Sequence, residues 1–280
     1  MQQNADDGYE LMHMQTIVIA NQKGGCGRTT TAVNLGAALA KSGKKTLIVD
    51  LDPQHHATIG LRQNPEALPM TMFDVLTNPE TAISQAAQKT NVQFLHLAGA
   101  DVSLRAAERD LDARVGGAFI LSEKLDEVQG RYDFCLIDCP GRFGPLTLAG
   151  MVAAENLLVP VQAHYYGMEG LESLFDMVEA TNERFDPCSI SVLGLLLTFV
   201  QESTSLSREV QQQMRDRFGD LVFETAIHLN TKLAEAPGAG ESVITYAPKS
   251  RGAREYKALA EEIVHRKGRD KTKGSNHGQE

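Results

Sequence analysis

Tryptophan is absent from this sequence, and aromatic residues of all kinds make up only 6% of its 280 positions. A core must therefore come from Ala, Val, Leu and Ile. Together with 24 glycines, that composition favours close packing of helices on a sheet over a β-sandwich. Cysteine is also scarce, with residues only at 26, 135, 139 and 188 and no CxxC pair. This excludes a disulfide framework and fits a reducing, cytosolic compartment in which cysteine is small core filler. No apolar run reaches the roughly 18 residues of a membrane span. The opening MQQNADDGYELMHM has no basic stretch followed by an apolar one, so a signal peptide is not expected. An excess of positive charge is missing too: the formal net charge is −9. The exception is residues 265–280, HRKGRDKTKGSNHGQE, with five Lys/Arg against two acids. A basic tail on an acidic body can touch nucleic acid or an acidic partner, or can simply be a solvated terminus.

What is present is a repeated alternation of short apolar runs and helical periodicity. TIVIA (16–20) ends in the Gly-rich NQKGGCG. Ala32, Val33, Leu35, Ala38 and Leu39 then recur at helical spacing, and Gly43 reads as a helix stop. TLIVD (46–50) is the next buried strand. Strand, loop, helix and strand in so short a span make a βαβ unit with parallel strands. Further strands are expected at 94–98, 134–138, 157–161, 191–199 and 222–227. Helices are expected at 101–112, 168–184, 205–218 and 251–267. The fold class that follows is α/β: a doubly wound, mostly parallel sheet with helices on both faces. Residues 15–265 read as one domain, between a flexible N-terminal tail (1–14) and a basic polar C-terminal tail (266–280).

The chemistry concentrates at three strand ends. Lys23-Gly24-Gly25-Cys26-Gly27-Arg28-Thr29-Thr30 lies between an apolar strand and a helix N-terminus. Glycines let such a loop turn its N–H groups toward an anion, and the helix adds positive potential. Thr29 is placed to give its hydroxyl to Mg²⁺, while Lys23 and Arg28 supply mobile positive charge. The second strand ends in Val49-Asp50-Leu51-Asp52-Pro53-Gln54, whose carboxylates can orient Mg²⁺-bound or nucleophilic water. The third group, Leu136-Ile137-Asp138-Cys139-Pro140, is an acid closing an apolar strand, the Walker B arrangement. Each pattern alone has a bland reading as a turn or loop cap. The three together specify a nucleotide-phosphate site that takes ATP and Mg²⁺.

These motifs resemble those of the ParA/MinD family: NQKGGCGRTT its deviant Walker A box, VDLDPQ and 55–61 the box after its second strand, LIDCP its Walker B. Val159-Pro160-Val161-Gln162, Met168-Glu169-Gly170-Leu171, Leu233-Ala234-Glu235-Ala236-Pro237-Gly238 and the segment from Tyr246 to Ala253 are similar to further stretches of small, Soj-like members. The resemblance spans about residues 15–265. It implies a slow, partner-stimulated ATPase that forms an ATP-dependent sandwich homodimer, binds DNA without sequence preference and partitions or positions a DNA or protein cargo with a ParB-like or other adaptor. It also implies a cytoplasmic, nucleoid-associated protein without membrane attachment. By position, Lys23 matches the lysine that reaches across the dimer, Thr29 the Mg²⁺ ligand, Asp52 the acid that positions water and Asp138 the Walker B acid. Gly24, Gly25, Cys26, Gly27, Arg28 and Thr30 complete the phosphate loop, and Asp50 joins the metal site. Thr198-Phe199 and Pro237 fall where adenine is flanked. Lys232, with Lys249, Arg251 and Arg254, is the expected DNA-facing set.

The sequence departs from the family pattern in three places. Arg28 stands where lysine is usual, and a planar guanidinium does not simply replace a compact ammonium. The alternative reading is accordingly a nucleotide-binding switch with little or no hydrolysis. Pro140-Gly141-Arg142 replaces the usual Pro-Pro-Ser. Val200-Gln201-Glu202-Ser203 has lost an arginine and gained an acid. With so short a segment before the first strand, no operator-reading helix-turn-helix is expected. A membrane-recruited relative would need an amphipathic C-terminal helix, yet no large apolar residue follows Val264. An iron–sulfur ATPase would need cysteines placed between subunits, which Cys135 and Cys139 are not.

Overall fold

A computed structural model describes residues 13–273 and is organised on a seven-stranded sheet. Its strands are β1 (Gln15–Ile19), β2 (Thr46–Asp50), β3 (Ala87–Lys89), β4 (Leu95–Ala98), β5 (Phe134–Asp138), β6 (Asn156–Gln162) and β7 (Ser191–Thr198). They lie in the order β3-β4-β2-β5-β1-β6-β7. Every neighbouring pair is parallel except β3–β4. This is the doubly wound α/β sheet expected from the sequence.

Among the described residues six helices have eight or more residues: α1 (Arg28–Lys41), α2 (Leu104–Ala113), α3 (Pro145–Val152), α4 (Leu171–Arg184), α5 (Ser205–Phe218) and α6 (Arg251–Lys273). α1 and α6 cover one face of the sheet, burying Leu35, Leu39, Tyr256 and Leu259 against Ile17, Ile48, Leu136 and Leu158. α2 to α5 cover the other, placing Leu104, Leu146, Leu174 and Met214 in one core with Val18, Val49, Ile137 and Val159. Successive strand residues point to opposite faces, and both faces are covered. The central strands therefore read as unbroken apolar runs. No helix among the described residues is long and apolar enough to cross a membrane.

Two elements differ from expectation. β3 was not anticipated, because Ala87-Gln88-Lys89 has no apolar run and gains its strand geometry from antiparallel pairing with β4 at the sheet edge. Residues 222–227 were expected to form a strand but make only one isolated bridge, Val222 to Leu195 of β7. The N–H groups of Phe223 and Ile227 reach β7 carbonyls at 3.0 and 2.8 Å. Those of Glu224 and Thr225, however, donate to the Glu262 carboxylate of α6 at 2.9 and 3.0 Å. The competing side-chain acceptor breaks the ladder. Of the tails expected at 1–14 and 266–280, residues 1–12 and 274–280 lie outside the described residues.

The parallel direction brings the C-terminal ends of β2, β5, β1, β6 and β7 to one edge of the molecule. Asp138 at the end of β5 is in register with Asp50 on one side and Ile19 on the other. Buried Asn34 of α1 ties this frame to the C-terminal part of the chain, accepting the Val243 N–H at 2.7 Å and donating to the Thr30 carbonyl at 2.7 Å. Asn34→Ala leaves the Val243 N–H buried without its acceptor. The urea midpoint should fall by the equivalent of about 1–3 kcal/mol. An unchanged midpoint would show that the link carries no stability.

Candidate functional site

The loop between β1 and α1 is built by positive-φ glycines and held from behind. Gly25 and Gly27 have φ of 72° and 93°, a region that side chains with a β-carbon rarely adopt. The next two strands along the sheet grip the loop's carbonyls: Gln162 Nε2 donates to Gly25 O and Thr198 Oγ1 to Cys26 O, each at 2.9 Å. Asn21 donates to Pro160 O at 2.7 Å and accepts the Lys23 N–H at 3.0 Å. A loop anchored through its carbonyls and opening directly into a helix presents its N–H groups to an anion. Cys26 is buried, and burial raises its thiol pKa, so it packs the loop.

Arg28 is anchored rather than mobile. Its Nη1 donates to the carbonyls of Asn21 and Lys23 at 2.8 Å each, and its Nε to the carbonyl of Cys139 at 3.2 Å. The rigid donor fork explains this difference from expectation, since Nη1 and Nε of one plane reach carbonyls of both the phosphate loop and the segment after β5. Lys23 extends outward, with its Nζ 3.7 Å from a carboxylate oxygen of Glu169. Thr29 and Thr30 begin α1, both half-buried.

The three acids occupy different environments. Asp50 is fully buried and committed: Oδ2 accepts from the Thr58 N–H at 2.9 Å and hydroxyl at 2.7 Å, and Oδ1 from the Asp52 N–H at 3.1 Å. Burial pushes its carboxyl up to about 6, with the Asp52 charge adding to the rise and the Thr58 and Asp52 N–H bonds opposing it. Asp52 is buried at the rim, with Oδ1 accepting the Gln54 N–H at 2.9 Å. Asp138 is fully buried, and neither carboxylate oxygen has a hydrogen-bond partner among the described residues. Burial, then the neighbouring Asp50 charge, drives its pKa well above the usual carboxylate range; nearby Thr29 and Arg28 act in the other direction.

An unpartnered buried carboxylate beside a threonine hydroxyl is costly unless a cation or bound water answers it. The pair fits a hydrated Mg²⁺. Among the described residues no group of three or more His, Cys, Asp or Glu could hold a metal ion. Mg²⁺ characteristically keeps several waters and takes oxygens from a bound phosphate, so it asks for only one or two protein ligands. Asp50, beside Asp138 in the register, already accepts three hydrogen bonds from Thr58 and Asp52.

The remaining expected residues are more scattered. Thr198 joins the loop, and Phe199 beside it has φ of 53° and an exposed ring. Pro237 sits on an exposed turn (Ala236–Ala239) that packs against the His56–Gly60 helix following Asp52. Lys232, Lys249, Arg251 and Arg254 are all exposed, yet three of them are engaged. Lys232 pairs with Glu235 at 2.7 Å, Arg251 with Glu255 and Glu202 at 2.7 and 3.0 Å, and Arg254 donates to the Lys249 carbonyl at 2.8 Å. Asn21, Gln162 and Thr58 were not singled out as site residues. Gln162 and Thr58 carried only a weak signal, a polar side chain ending an apolar strand and a hydroxyl one helix start beyond a strand-end acid.

The sequence pattern of a family described as an AAA domain matches residues 14–189. The chain is 38% identical to the sporulation initiation inhibitor protein Soj of Bacillus subtilis, over 89% of this chain and 97% of that protein. It is 40% identical to the chromosome-partitioning ATPase Soj of Treponema pallidum, over 91% and 98%. Among solved structures it is similar to cobyrinic acid a,c-diamide synthase from Mycobacterium smegmatis with bound ATP analog and magnesium. That match has a TM-score of 0.78 and 31% identity, and it covers 90% of this chain and 95% of the other.

The buried acids make a pH prediction. With raised pKa values, Asp50 and Asp138 keep protons in the folded chain that the unfolded chain releases above about pH 4. Their contribution to ligand-free stability is therefore present at low pH and lost as pH rises through 6 and beyond. Asp138→Asn, melted without nucleotide or Mg²⁺ from about pH 5 to pH 8, should gain on the parent as pH increases. A gap that narrows with pH would contradict the assignment.

Proposed function

This chain belongs to the ParA/MinD family of ATPases, and from that premise we propose that it is a Soj-like protein that binds ATP with Mg²⁺ and closes on a second copy to form a nucleotide sandwich. In this reading it hydrolyses ATP slowly, under stimulation by a ParB-like or other adaptor. It holds DNA without sequence preference, on the nucleoid in the cytoplasm, and so positions a DNA or protein cargo. The observation that carries the reading is the orphaned Asp138 carboxylate, placed by the sheet register beside Asp50 and against Thr29 of the phosphate loop.

Phosphoryl transfer asks a protein mainly for position and for compensation of charge. Mg²⁺ supplies charge compensation at the phosphates when bound. Thr29 and Asp138 are the residues that would hold it. The N–H groups of residues 24–30 cradle the phosphates. Asp52 sits at the rim of the site, where its free oxygen can orient an attacking water. Lys23 is parked on Glu169 in the single protomer, an exposed pair of little strength that a partner's phosphates can displace. Thr198-Phe199 and Pro237 border the base.

The DNA-facing set is Lys232, Lys249, Arg251 and Arg254. The Lys232–Glu235 and Arg251–Glu202 pairs are at the surface and weak, so DNA phosphates compete with them. The resulting affinity is modest and falls steeply with salt. A second reading, a switch that binds ATP without turning it over, draws on the seating of Arg28 on three backbone carbonyls. ATP turnover of the parent beside Arg28→Lys separates the two: measurable turnover in both removes the switch.

Asp52→Ala should lower kcat by about 10²-fold or more, with ATP affinity changed only a few-fold. Parent-level hydrolysis in this variant would refute the role of Asp52. Glu202→Gln releases Arg251 from one acid and removes a negative charge. ATP-dependent DNA binding at low salt should strengthen about two- to fivefold, measured by fluorescence anisotropy of a labelled duplex. An unchanged affinity would place Arg251 outside the DNA-binding face.

A further inference from the structure

Two of the departures from the family pattern, Arg28 for lysine and Gly141 in the Pro-Gly-Arg segment, are in direct contact in the fold. A β-carbon on Gly141 would stand 2.6 Å from Arg28 Nη2, closer than real β-carbons come, so the guanidinium or the segment would have to shift. Gly141 is not among the positive-φ residues. No turn geometry demands glycine there, and the guanidinium does.

Neither partner is free to yield. Arg28 Nη1 and Nε are bonded to the carbonyls of Asn21, Lys23 and Cys139, and because the guanidinium is a rigid plane, swinging Nη2 away from Gly141 strains those bonds. The segment carrying Gly141 is tied on its outer side, where Arg142 pairs with Glu108 and Thr147 Oγ1 donates to the Arg142 carbonyl at 2.9 Å. We propose that Arg28 and Gly141 are one compensated pair. Gly141 provides the space in which an arginine seats in this phosphate loop, and so acts as a positioning residue for nucleotide binding through Arg28. A lysine at 28 has no planar fork and makes no such demand on position 141. The pair also joins the phosphate loop to the segment after β5 through the bond from Arg28 Nε to Cys139 O. This inference rests on the reading of the loop as the nucleotide site.

The test is a four-protein cycle of the full chain: parent, Gly141→Ala, Arg28→Lys and the double variant. Each is measured for affinity toward a fluorescent ATP analogue with Mg²⁺, and for melting temperature without nucleotide. In the parent background Gly141→Ala should weaken nucleotide binding about tenfold and lower the melting temperature. In the Arg28→Lys background it should change affinity by less than about twofold and leave the melting temperature in place. Equal effects of Gly141→Ala in both backgrounds would overturn the pairing. If Gly141→Ala alone fails to fold, recovery of a folded protein by Arg28→Lys supports the pair, and continued failure overturns it. A parent that binds no nucleotide would refute the site reading instead, and the melting temperatures would still decide whether the two residues are coupled.

Discussion

The structure depends on a costly juxtaposition, two carboxyl groups buried side by side at the ends of adjacent parallel strands. Asp50 and Asp138 are paired in register and both fully buried. Low-dielectric surroundings penalise each charge, and each charge penalises the other. The fold absorbs half of this cost by giving Asp50 the N–H and hydroxyl of Thr58 and the N–H of Asp52. It leaves both Asp138 oxygens without a hydrogen bond of good geometry, offset only by the nearby Thr29 hydroxyl and the Arg28 charge. A chain selected only for stability would not keep that arrangement. A chain that must answer a cation at one edge of its sheet has reason to.

Much of the architecture was legible because its causes are local. β2, β5 and α5 have the bounds that the apolar runs and helical spacing imply. The strand-end acids announced the site's edge, since parallel strands all point their C-terminal ends one way. What could not be read depends on partners distant in sequence. β3 exists through its neighbour, and 222–227 fails as a strand because a glutamate on α6 takes two of its N–H groups. At the site, residue types suggested a mobile charge at 28. The carbonyls of Asn21 and Cys139 that hold it are brought to it only by the fold.

The surface carries the same lesson in weaker form. Counting Lys and Arg along the C-terminal third suggests a basic stripe, but counting does not reveal which acids stand opposite. Glu202, Glu235 and Glu255 each engage a residue of that stripe. Glu202 serves a further partner: His228 sits between it and Glu255 at 2.8 and 2.7 Å, fastening the loop after β7 to α6. The acid gained beside β7, Glu202, is thus part of a four-residue network with His228, Arg251 and Glu255.

The two margins of the sheet bear on assembly. On one side β3 is three residues long, antiparallel and ends in Lys89. On the other, residues 222–228 run along β7, and a glutamate of α6 occupies the N–H groups that would otherwise invite another strand. Short, charged or covered margins are how sheet proteins avoid adding strands from neighbouring molecules. Among the described residues, neither margin of this sheet therefore offers a neighbouring molecule a long open edge on which to lay a strand.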